Sequence, residues 1–116
     1  MVSTQSSSGQ WWGTPCYLSP EAVFGKPPTV GFDLWSLVML LYESIAGRNP
    51  VIGSTVSETM VLITRGAIAD IREFAPLCPE SVAVFFKSAL SKDLKRRPAT
   101  SEQLRRELQI LRQAII

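Results

Sequence analysis

Histidine is missing from this chain of 116 residues. With it go the commonest general base, the commonest zinc ligand and the Ser-His-Asp arrangement for nucleophilic attack. Cysteine is scarce: Cys16 and Cys78 stand far apart, with no C-x-x-C spacing and none of the density that disulfide-stapled secreted domains need. They read as free thiols in a reducing compartment. Charge is sparse too, at 19% of residues and a net +2. So small an excess argues for nucleic acid only if it gathers on one face. The basic residues of 92–97 and of the last stretch alternate instead with apolar and acidic ones. Only one long apolar run occurs, and it falls short of the roughly twenty residues of a membrane span. The first ten residues, MVSTQSSSGQ, lack the charged-then-apolar pattern of a signal peptide. The expectation is a cytoplasmic, soluble chain with no metal site.

What the chain has in plenty is apolar surface: 46% of its residues are hydrophobic, enough at this length for a real core. The densest stretch is residues 33–47, DLWSLVMLLYESIAG, where only Ser36, Glu43 and Ser44 interrupt the apolar residues between Asp33 and Gly47. A helix apolar at nearly every angle is a buried helix, so the other segments are expected to wrap it.

Residues 1–12 form a polar tail of Ser, Thr and Gln that ends in Trp11 and Trp12, at least one of which is expected to pack on the body. Two prolines and a glycine in residues 13–21, GTPCYLSPE, argue for a fixed loop, with Pro20 opening a short helix through Glu21, Ala22 and Val23. Gly25, Pro27 and Pro28 close it, and the buried helix is expected to begin near Asp33. After the turn chemistry of residues 48–55, Ser57 is the expected cap of a helix that runs to Gly66. Residues 67–78 read as loop. Pro79 then starts the clearest amphipathic helix, with Val82, Phe85, Phe86, Ala89 and Leu90 at i, i+3, i+4, i+7 and i+8. A basic loop, residues 92–98, leads to a capping box of Thr100 and Gln103 and a last helix with Leu104, Leu108, Leu111 and Ile115 on one face. No segment shows a period-two strand pattern. The expected class is mainly α, with four main helices and long, Pro-rich connections.

Three of these segments, taken in order, resemble one family. Gly13-Thr14-Pro15-x-Tyr17-x-Ser19-Pro20-Glu21 is similar to the end of the activation segment of eukaryotic-type serine/threonine protein kinases, with Ser19-Pro20-Glu21 in place of A-P-E. Asp33-x-Trp35-Ser36-x-Val38 resembles the D-x-W-S-x-G that opens the family's central buried helix, and Arg97-Pro98 resembles its arginine before the final helix. The resemblance covers about residues 9–113 and extends to the family's bacterial eukaryotic-like group. It implies the helical part of the C-terminal lobe of the kinase fold, from the end of the activation segment to the last helix. The divisions are an activation-loop-like tail (1–12), a partial kinase domain (13–113) and a short tail (114–116).

The resemblance also implies roles. Gly13, Thr14, Pro15 and Tyr17 form a substrate-docking loop, with Thr14 similar to the threonine that bonds the catalytic aspartate of serine/threonine kinases and Pro15 to Tyr17 under the residue after the acceptor. From the residue alone, the alternative is that Thr14 only makes a local turn bond. Glu21 and Arg97 are implied as a buried ion pair; by charge patterning they read instead as a first-turn helix charge and part of a solvated run. Asp33 and Trp35 are implied scaffold residues, Asp33 also suiting its own helix N-terminus. Phosphorylation within the polar stretch 3–8 fits an activation loop.

The glycine-rich loop, the V-A-I-K lysine, the H-R-D loop and the D-F-G aspartate are all missing, and these bind ATP and Mg²⁺ and orient the hydroxyl. No catalytic residue and no cofactor is therefore assigned to this chain, and alone it is expected to be inactive; ATP and Mg²⁺ belong to the complete domain. Its implied partners are a Ser/Thr protein substrate and the missing N-terminal part of the domain, with no nucleic acid and no membrane. The alternative is a non-catalytic kinase-like module that docks peptides or another kinase. Because the catalytic loop and the preceding helix that the resemblance packs against the central helix are missing, part of that helix's apolar surface is expected to be open to solvent.

Overall fold

The computed structural model describes residues 4–5, 11–12, 15–66 and 68–115. Its axis is helix α2, Val30–Ala46. The helix starts three residues before Asp33 because Thr29, in extended backbone, caps it by accepting a bond from Gly31 N at 3.2 Å. Gly47 ends it in the left-handed region (φ 78°), where a residue without Cβ carries no steric penalty, and its N–H reaches Glu43 O at 2.8 Å. Trp35, Val38, Met39 and Tyr42 are fully buried. The helix is not buried all round: Leu37, Leu40 and Ile45 are 46%, 42% and 47% exposed, in line with the expectation that part of its apolar surface is open to solvent. The described elements pack around only part of the cylinder.

Before α2, a short 3₁₀ turn at Pro15–Tyr17 and helix α1 (Pro20–Val23) form the loop region. After it come α3 (Val56–Arg65), a 3₁₀ turn at Ile71–Glu73, α4 (Glu80–Ala89), a 3₁₀ turn at Leu94–Arg96 and α5 (Ser101–Ile115). The cap of α3 is Thr55 rather than Ser57; its hydroxyl accepts from Glu58 N at 3.1 Å. Residues 68–78 are loop apart from the turn that Asp70 caps, and that turn sends Ile71 into the core. Phe86 of α4 meets Tyr42 edge-on, with ring centroids 5.4 Å apart, and the Tyr42 hydroxyl donates to Ala69 O at 2.8 Å. At the start of α5, Gln103 N donates to Thr100 Oγ1, and Gln103 Oε1 accepts from Ala99 N, so the box closes one residue early. Leu104 is buried; Leu108 and Leu111 are half-buried against the core.

Two strands add a local feature that the sequence does not display. β1 (Thr4–Gln5) pairs antiparallel with β2 (Trp11–Trp12). Two residues per strand are too few for a period-two pattern to show. Gly13, Thr14, the residues of 3–8 other than Thr4 and Gln5, and the side chains of Trp11 and Trp12 lie outside what is described.

Candidate functional site

The loop of residues 15–23 is bound to the helical body at two points. The first is Glu21. Ser19 caps α1 by accepting from Ala22 N at 3.3 Å, which places Glu21 in the first turn facing inward. Arg97, 76 positions further on, meets it with a two-pronged fork: Nη1 donates to Oε2 at 2.8 Å and Nη2 to Oε1 at 2.9 Å. The same guanidinium donates through Nε to Ser91 O at 2.6 Å, and its carbon lies 4.7 Å from the centroid of the Trp35 ring. Arg97 is 7% exposed and Glu21 22%. Partial burial pushes the Glu21 carboxyl up, but the Arg97 guanidinium outweighs it and holds the group below its ordinary value. A bidentate pair of this kind fixes orientation as well as distance.

The second point is Tyr17. Its hydroxyl donates to Glu43, 2.8 Å from each carboxylate oxygen, and its carbonyl accepts from Ser36 Oγ at 2.7 Å. Burial, with the Glu43 bond and charge added, pushes the phenol up to about 12. In the sequence Glu43 was only a polar interruption and Ser36 a member of the D-x-W-S motif, with no partner assigned to either. They sit seven residues apart, two turns of helix, hence on one face. That spacing was the available signal, but nothing in it named the loop as partner. The 3₁₀ turn and α1 also lie against α3, so the loop region is braced from two sides.

The other sequence-derived residues are placed less informatively. Trp35 is buried under Arg97, and its Nε1 has no hydrogen-bond partner among the described residues, so the ring works through its face. Asp33 is exposed in the first turn of α2 and takes part in no ion pair among the described residues. Only the backbone of Pro15 is described; Gly13 and Thr14 are not. Cys16 is buried, and desolvation with the nearby Glu43 charge pushes its thiol up to about 11, which leaves it unreactive at neutral pH. Among the described residues no three His, Cys, Asp or Glu side chains converge. No described helix is long and apolar enough to cross a membrane.

A helical body with a braced loop on a central apolar helix is the architecture of the helical C-terminal lobe of the protein-kinase fold. Comparison with known proteins gives the family. The chain belongs to the protein kinase domain family, which matches residues 1–109. It is 31% identical over 94 residues to death-associated protein kinase 2 of Homo sapiens, covering 81% of this chain and 25% of that protein. It is 31% identical over 103 residues to the serine/threonine-protein kinase PknD of Protochlamydia amoebophila, covering 87% and 10%. With the serine/threonine-protein kinase drp72 of Corynebacterium efficiens it shares 36% over 110 residues, covering 90% and 20%. Among solved structures, the autoinhibited serine kinase domain of the giant muscle protein titin superposes with a TM-score of 0.68 at 26% identity, covering 78% of this chain and 28% of that one. The chain thus spans a quarter or less of the length of these curated relatives.

Proposed function

We propose that residues 13–113 supply the substrate-docking loop and the helical scaffold of a serine/threonine protein kinase catalytic domain, for ATP-dependent phosphorylation of protein Ser and Thr. In-line phosphoryl transfer asks the protein chiefly to hold the acceptor hydroxyl still. In this reading Gly13, Thr14, Pro15 and Tyr17 form the surface against which the substrate peptide lies, and Glu21 with Arg97 keeps that surface in register with the helices. Asp33 and Trp35 belong to the scaffold, and residues 1–12 to the activation loop. ATP and Mg²⁺ are held by the nucleotide-binding part of the complete domain, which is the chain's structural partner; a Ser/Thr protein is its substrate. The observation that carries the reading is the double tether of the loop, by the Glu21–Arg97 fork and by Tyr17 to Glu43 and Ser36.

The test is a chimera in which this chain replaces its counterpart in human death-associated protein kinase 2, assayed with ATP, Mg²⁺ and Ser-, Thr- or Tyr-containing peptides. Phosphate on Ser and Thr but not Tyr is expected. A chimera that folds and binds ATP but transfers nothing to any Ser or Thr peptide overturns the reading. The second reading, a non-catalytic docking module, draws on the open apolar face of Leu37, Leu40 and Ile45, a surface suited to another protein. It expects peptide or kinase binding by this chain with no transfer by the chimera.

A further inference from the structure

A groove of about 340 Å³ lies between the segment after α3, the end of α4 and the basic turn before α5. It shares no residue with the loop of residues 15–23. Its floor is apolar: Ile71, Phe86 and Leu90 line it and are 1%, 4% and 3% exposed. Its rim is cationic, with Lys87, Lys92 and Arg96 against a single carboxylate, Asp70. That carboxylate is already engaged, 2.9 Å from Arg72 and 3.3 Å from Lys87. Lys92 and Arg96 are exposed and form no ion pair among the described residues. Their positions are nonetheless set. The stem of Lys92 lies directly over Gly66, where a Cβ would collide with Lys92 Cγ and where φ of 65° favours glycine. Arg96 sits in a turn whose start Asp93 fixes by accepting from Lys95 N at 3.0 Å.

We propose that this groove docks an acidic peptide segment of a partner protein, with an apolar side chain over the Ile71–Phe86–Leu90 floor and carboxylates against Lys92 and Arg96. Two uncompensated cations beside an apolar floor match a ligand that carries both features on adjacent residues. A polynucleotide matches less well. It needs cations along a track, whereas here the cations converge on one cavity and Asp70 stands on the wall. Exposed charges of this kind contribute mainly to choice of partner and speed of encounter, so binding weakens as salt rises.

The experiment is fluorescence anisotropy on the full chain with a fluorescein-labelled Asp-Glu-Leu-Asp-Glu-Asp peptide. Saturable, salt-sensitive binding is expected, and Lys92→Glu with Arg96→Glu weakens it about tenfold or more. Lys95→Glu makes the same charge change as Arg96→Glu alone, on the same turn but off the groove lining, and retains the affinity that Arg96→Glu lowers. Replacing the peptide's leucine by glycine lowers affinity. The proposal is overturned if Lys95→Glu weakens binding as much as Arg96→Glu alone, if the glycine peptide binds equally, if a labelled oligothymidylate binds more tightly, or if the peptide does not bind. Circular dichroism verifies each variant's fold, and Arg96→Gln alone carries the test should the double variant unfold.

Discussion

Glu21→Ala strands a guanidinium. In the folded chain Arg97 is 7% exposed, and the substitution deletes both bonds of its fork, at 2.8 and 2.9 Å. Ser91 O and the Trp35 ring remain, but neither carries a counter-charge. Breaking a buried pair by removing one partner costs on the order of 3–5 kcal/mol. Glu21 is itself a fifth exposed, so the lower end applies, about 3 kcal/mol. With a urea m-value of about 1.5 kcal/mol/M for a chain of this size, the midpoint falls by about 2 M with the slope unchanged. Arg97→Lys keeps the charge but loses the fork, at roughly 2 kcal/mol. The pair also has a pH signature. The folded Glu21 carboxyl sits below its ordinary value, so its contribution is present above the unfolded pKa of 4.5 and is lost as pH falls through the folded one. Stability of the unsubstituted chain therefore drops more steeply below that pH than stability of Glu21→Ala. A midpoint shift under about 0.5 M, or identical acid limbs, refutes the reasoning.

Three further outcomes follow from the same geometry. The phenols of Tyr17 and Tyr42 are both pushed up to about 12, so their contribution is whole below the ordinary value of 10 and fades as pH rises towards 12; phenolate absorbance that titrates at the ordinary value contradicts this. Tyr17→Phe leaves Glu43 without its donor and costs about 1 kcal/mol, read as a urea midpoint; no shift means the tether is idle. The open face of α2 binds a hydrophobic dye, and Leu37→Glu with Leu40→Glu abolishes that signal with a stability change of about 0.5 kcal/mol or less, whereas dye binding that survives places the exposed surface elsewhere.

The helices were legible because their signals are local. Gly47 and Gly66 mark ends by their left-handed backbone, and the α4 stripe of Val82, Phe85, Phe86 and Ala89 faces the core at the spacing that reveals it. Starts were less legible, since Thr29 and Thr55 each compete with a nearby Asp or Ser of similar capping strength. What the sequence could not reveal is which surface of an apolar helix stays bare. Leu37 and Leu40 differ from Leu34 only in angle, and burial depends on which elements arrive. The partners of Ser36 and Glu43 were hidden for a related reason: a polar residue in a helix states a need for a bond, and only the fold supplies the other end. Charge patterning likewise cannot pair Glu21 with Arg97 across 76 positions; only the kinase resemblance links them.

In the proposed function the double tether serves to present a peptide-docking loop. Steady-state kinetics of the death-associated protein kinase 2 chimera carrying Tyr17→Phe test it most directly. The account predicts a KM for a Ser-containing peptide raised severalfold with the KM for ATP unchanged. Equal changes in both constants, or no change in the peptide KM, contradict it.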